Sequence, residues 1–273
     1  MSAPLLRTET TDGITTLTMD HARRLNGWTA PMLEALIGAL EAARTDPATE
    51  AVVLTGTGAY YSAGVNLGGS LRLDHPKRLH HFIRTHNQAL FDAFLLLDKP
   101  LVAAVNGHAI GAPVTSATLC DAVLAAEGAT FLTPFDRLGV PPEGCSSIMF
   151  PRLMGEAGAQ RMLGPEGFKP TAAQALELGL IDAVLPAGEL VAAAQERAAA
   201  LVAGGGGRSF RGGFSREELL AANARESAQL ADAFLSAPFL KGQMRFLWSK
   251  KKRGPAAMFA GLWLSSPVWR LLL

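Results

Sequence analysis

Pro141-Pro142-Glu143-Gly144-Cys145-Ser146-Ser147 sets a single carboxylate in a turn of small residues, directly after the apolar-rich run Phe131–Val140. A carboxylate there can lose its contacts with water. Desolvation penalises the charged form and lifts the pKa toward the range a proton shuttle needs. Working outward, two further turns have a related build. Ser62-Ala63-Gly64-Val65-Asn66 and Gly107-His108-Ala109-Ile110-Gly111-Ala112 each follow an apolar run that reads as a strand. The combination implies backbone N–H groups presented to an oxygen, with one acid or base nearby.

The 273 residues suit one large domain or a domain with an appended helical segment. Half the chain is hydrophobic (49%) and only 18% is charged, so a sizeable core is expected and global disorder is not. A formal net charge of +1 gives no global drive toward nucleic acid, and no nucleic-acid partner is expected. Two cysteines, Cys120 and Cys145, do not make a disulfide scaffold, which points to a reducing, cytoplasmic setting. No metal-ligand spacing occurs, and no metal site is expected. The polar stretch Met1–Asp12 has no secretory core, and no apolar run is long enough to span a bilayer.

Gly13–Met19, Ala51–Thr55, Pro100–Val105, Ala122–Ala125 and the brief Ala183–Leu185 read as strands. Pro31–Arg44, Arg78–Leu97, Val114–Leu119, Met149–Leu163, Thr171–Leu178 and Gly188–Ala203 read as helices. Their alternation predicts an α/β fold with parallel pairing and crossover helices. No internal repeat is evident. Gly204–Gly207 reads as a flexible break, dividing a core (1–203) from a helical C-terminal region (204–273) that is helical to about Lys252.

Each site residue has a plainer reading. Glu143 could cap the helix beginning near Cys145–Ser147. The turns at Val65 and Ala112 could be an ordinary turn and an ordinary helix start, with Pro113 suited to the first helical turn. Thr115 is expected to bond back to its own helix, His108 to be a hydrogen-bonded loop residue, and Asp121 to end a helix. The tail tryptophans Trp248, Trp263 and Trp269 read as packing or oligomer contacts. The apolar tail leaves a membrane contact as a lesser alternative.

Arg23-Arg24-Leu25-Asn26-Gly27-Trp28, Tyr61–Leu67, Lys99–Gly107 and Pro134–Ser147 together resemble the crotonase (enoyl-CoA hydratase/isomerase) superfamily, from about Leu17 to about Pro186. The resemblance implies a spiral of ββα units with a C-terminal helical region that drives trimer formation or serves as a lid, and a homotrimer or hexamer. It implies a coenzyme A thioester as substrate, with no separate cofactor. The backbone N–H groups of Val65 and Ala112 would form an oxyanion hole, and Arg24, Ala63, Gly64, Val65, Leu67 and Gly111 would contact the substrate or its coenzyme A. Where hydratases of the family carry two glutamates, this chain has Thr115 and Phe135, which disfavours hydration. Pro142–Ser147 is instead similar to the motif of the peroxisomal-type Δ3,Δ2-enoyl-CoA isomerases, whose glutamate is the single acid/base, and Glu143 would take that role. The implied function is migration of a 3-enoyl-CoA double bond to the 2-trans position. The alternatives are hydration or another reaction of the superfamily, and a non-catalytic acyl-CoA-binding or scaffold protein.

Overall fold

Strand pairing explains why the apolar runs are nearly continuous. A computed structural model describes residues 4–65 and 74–269. Its larger sheet contains β1 (Leu6–Thr11), β2 (Ile14–Met19), β3 (Ala51–Gly56), β5 (Leu101–Val105), β7 (Ala122–Ala126) and β9 (Ala183–Leu185), side by side in that order. Only β1–β2 is antiparallel. Covered on both faces, the central strands β5 and β7 are buried along their whole length, and β3 at every residue but Gly56. Val52, Leu54, Ala103, Val105 and Val123 face the main core. The alternate residues Val53, Val102, Ala104 and Leu124 face a second cluster, closed by Leu190, Ala194 and Ala198 of the helix Leu190–Ala203.

Between the strands of this sheet the chain lays down a second one. β4 (Tyr60–Ser62), β6 (His108–Ile110) and β8 (Phe131–Leu132) form a three-stranded parallel sheet. From β3 to β9, consecutive strands therefore go to different sheets. β3 and β4 are followed by helix α2 (Pro76–Leu96), and β5 and β6 by α3 (Ala112–Thr118); α1 (Ala30–Thr45) precedes them. These are stacked ββα turns of a spiral, the α/β architecture expected. It is a repeat of backbone path that the sequence does not display as self-similarity. The short strands β4 and β6 end in the two turns singled out above, so the second sheet is what brings those turns side by side.

After β8 come α4 (Phe135–Leu138), α5 (Ser146–Leu163), α6 (Ala172–Glu177), β9 and α7 (Leu190–Ala203). Then follow α8 (Arg216–Phe234), α9 (Ala237–Ser249) and α10 (Arg253–Trp269). Helix α8 runs along α2, and the two share Asn223–Asp92 and Ser227–Asn87 hydrogen bonds. α9 and α10 build a third cluster with the first turns of α2, through Leu79, Ile83, Phe239, Leu240 and Phe259.

Three local expectations are corrected. Leu6–Thr11, read as a polar N-terminus, is an edge strand; its solvent-facing threonines and charges carry no apolar alternation to reveal it. The tail, which the sequence left open beyond Lys252, carries a further helix there, despite Pro267. Asp121 does not end a helix but forms a buried ion pair, its Oδ2 standing 2.8 Å from Arg208 Nε. That pair fixes the stretch just after the four glycines onto the core, where sequence suggested a flexible loop.

Candidate active site

Glu143 owes its direction to the backbone around it. Gly144 and Cys145 both adopt left-handed conformations, with φ of 64° and 63°. A side chain at Gly144 would run into the Phe91 ring and the Thr115 hydroxyl, so the turn can lie against α2 and α3 only with glycine there. Glu143 is 8% exposed. Its Oε2 accepts a 2.6 Å hydrogen bond from Asn87 Nδ2, and Asn87 Oδ1 in turn accepts from the Ser227 hydroxyl at 2.8 Å. Burial pushes the carboxyl up to about 7; the Asn87 bond opposes this and the nearby Glu226 carboxylate adds to it.

The two flanking turns meet each other. Gly64 has φ of 84°, and a Cβ there would collide with the Ile110 carbonyl oxygen. The first turn is further held by the Trp28 N–H donating to Gly64 O and the Ala63 N–H donating to Leu25 O, each at 2.9 Å. In the second, the Gly111 N–H donates to Leu132 O at 2.7 Å. The N–H groups of Val65 and Ala112 have no acceptor among the described residues. Ala112 is the first residue of α3, where unpaired donors are the rule.

Ala63, Gly64, Val65, Gly111, Ala112 and Glu143 all line one cavity of about 370 Å³. Its walls are mostly apolar: Leu33 and Ile37 of α1, Phe82, Ile83 and Leu90 of α2, Phe135 and Leu138 of α4, and Leu230 and Phe234 of α8. That is the composition of a site for an extended apolar group with a few placed polar contacts. Arg24 is exposed and outside the lining, although its turn carries the Leu25 carbonyl that anchors Ala63. Leu67 and Asn66 lie outside the described residues. Thr115 is fully buried and donates to Ala112 O, and His108 pairs with the Thr130 hydroxyl, so neither reaches the cavity. No cluster of three or more metal-ligating side chains occurs among the described residues.

Sequence reasoning missed two polar neighbours of the acid. Asn87 lies 56 positions before Glu143, on a helix whose amphipathic pattern gives it no distinction. Glu226 is 1% exposed and belongs to α8. It caps α5, the role that Glu143 was offered: its oxygens accept from the N–H groups of Cys145 at 2.7 Å and Ser147 at 3.0 Å, and from the Ser147 hydroxyl. One signal was present. Asn223, Glu226 and Ser227 fall on the same helical stripe as Leu219, Ala222 and Leu230, so polar groups sit where apolar ones are due.

Comparison with known proteins identifies the family and the fold. Residues 9–209 match the family described as enoyl-CoA hydratase/isomerase. Enoyl-CoA delta isomerase 2 of Rattus norvegicus is 42% identical over 183 residues, which cover 64% of this chain and 44% of that protein. The chain thus spans about half the length of the curated isomerases it matches. A probable enoyl-CoA hydratase of Rhodobacter capsulatus is 32% identical over 264 residues, 93% of this chain and 98% of the relative. The crystal structure of an enoyl-CoA hydratase/isomerase from Pseudoalteromonas atlantica T6c superposes with a TM-score of 0.75 at 27% identity, covering 90% of this chain and 97% of that one. With interleaved sheets, paired donor turns and a profile match over most of its length, the chain belongs to the enoyl-CoA hydratase/isomerase family.

Proposed function

We propose that this chain is a Δ3,Δ2-enoyl-CoA isomerase in which Glu143 is the one acid/base. The observation that carries the reading is a buried carboxyl, pushed up to about 7, in the same cavity as two backbone donors without acceptors among the described residues. The thioester oxygen of a 3-enoyl-CoA lies between the N–H groups of Val65 and Ala112. Withdrawal of electrons toward that oxygen acidifies C2. Ionised Glu143 takes the C2 proton, the electrons spread through the dienolate, and the oxyanion is stabilised by the two N–H groups. The carboxyl then returns the proton to C4, leaving the double bond at C2–C3. Acid and base steps are sequential, so one group serves both. The substrate is the coenzyme A thioester itself, and no further cofactor enters.

The test is Glu143→Gln assayed on 3-hexenoyl-CoA. The expected loss is on the order of 10²–10⁴ in kcat, the worth of general acid/base help, with acyl-CoA binding retained. Full activity in this variant removes Glu143 from the mechanism. Hydration is the second reading, favoured by the name of the Rhodobacter capsulatus relative. Against it, the positions where hydratases carry glutamates hold Thr115, which bonds to its own helix, and Phe135, which forms part of the apolar wall. Crotonyl-CoA in labelled water separates the two: a labelled 3-hydroxy product means hydration. We also propose assembly as a homotrimer or hexamer, supported by the exposed Phe246, Trp248, Leu264 and Val268 on α9 and α10.

A further inference from the structure

Glu226 is the most buried carboxylate beside the cavity, and the chemistry above does not use it. It comes from α8, more than eighty residues after the turn it touches. Its three donors, the N–H groups of Cys145 and Ser147 and the Ser147 hydroxyl, all belong to the segment that follows Glu143. Cys145 is a non-glycine residue at φ 63°, a conformation that persists only when its surroundings hold it. Its side chain does not cap the helix it precedes, and its thiol donates to Leu219 O at 3.2 Å, also on α8. So α8 grips this residue twice. The same helix reaches the other side of the acid, because Ser227 holds the Asn87 amide that donates to Glu143.

We propose that Glu226 is a positioning residue for Glu143: by capping α5 from another helix, it holds Gly144–Cys145 in the left-handed pair that directs the Glu143 carboxyl into the cavity. The proposal rests on the reading of Glu143 as the proton shuttle. The groups around Glu226 are Cys145 and Ser147 of the capped turn and Arg225 on its own helix. Those around Glu143 are Asn87 of α2 and Glu226, with His86 of α2 on the same cavity wall and Asp92 of α2 nearer Cys145. Burial is the main reason the Glu143 carboxyl is pushed up, and Glu226 adds to it as a neighbouring carboxylate, although burial raises Glu226 as well.

The experiment compares wild type, Glu226→Gln, Ser147→Ala and Glu143→Gln on 3-hexenoyl-CoA, with thermal melting as the check on folding. Glutamine matches the shape of Glu226 but turns an N–H₂ toward a backbone N–H. The expected result for Glu226→Gln is a fall in kcat of about 10²-fold, as for a misplacement near 1 Å, with KM within about twofold. The acid limb of kcat/KM moves to lower pH, since Glu143 ionises more readily without the neighbouring charge. A merely structural loss scales activity with the folded fraction and leaves that limb in place; this result overturns the proposal. So does unchanged kcat. Should Glu226→Gln not fold, Ser147→Ala decides: it keeps the charge and both backbone bonds, and a fall of about fivefold in kcat at constant KM supports the proposal, whereas no fall overturns it. Full activity in Glu143→Gln overturns the shuttle itself, and with it any positioning role.

Discussion

At the scale of single residues, the burial of Glu143 costs stability once the group ionises. Its folded-state pKa of about 7 stands above the ordinary 4.5, so ionisation works against the fold. The sign follows from linkage: its contribution to stability is fully present below about pH 4.5 and is lost as pH rises through about 7. Glu143→Gln is neutral throughout and can still accept from Asn87. It is expected to melt above wild type at pH 8, by at most on the order of 3 kcal/mol, with the gap closing toward pH 4.5. Melting curves of the two proteins across pH measure this directly. A gap that stays constant with pH would mean that the carboxyl is not desolvated.

At the scale of elements, the site depends on turns that touch. Gly64→Ala would drive a methyl group into the Ile110 carbonyl at a backbone φ of 84°. The two donor turns are then expected to separate, with kcat on 3-hexenoyl-CoA falling about 10²–10³-fold, the loss found when one oxyanion donor is removed. Wild-type turnover would show that the turns act independently. Elements with an apolar face were legible in the sequence: β2, β3, β5, β7, α1 and α2 fall within a few residues of their expected ranges. The strand pairs that define the spiral were not, because β4, β6 and β8 are two or three residues long and too short to show a period. The burial of Glu143 beside the cavity was foreshadowed by the small-residue composition of its turn. Asn87 was not, because it occupies an ordinary helical position; Glu226 showed only as a polar group on an apolar stripe, and its partners become legible only when α2 and α8 pack together.

At the scale of the whole molecule, the Arg208–Asp121 pair ties the segment after α7 to the spiral. Both side chains are almost fully buried, at 2% and 1% exposure. Arg208 also donates to Phe94 O and Leu119 O, and Asp121 accepts from the Leu101 N–H. Removing one partner strands the other in the interior, so Arg208→Ala is expected to lower stability by about 3–5 kcal/mol in urea unfolding followed by tryptophan fluorescence. A loss below about 1 kcal/mol would place the pair in effective contact with water. The interleaved sheets carry a last consequence. Since neighbouring strands from β3 onward belong to different layers, a backbone cut anywhere between residues 62 and 101 divides β3 from β5 and β4 from β6 at one stroke. Neither layer can be excised or exchanged as a continuous fragment, so grafting or splitting this scaffold has to follow whole coils of the spiral.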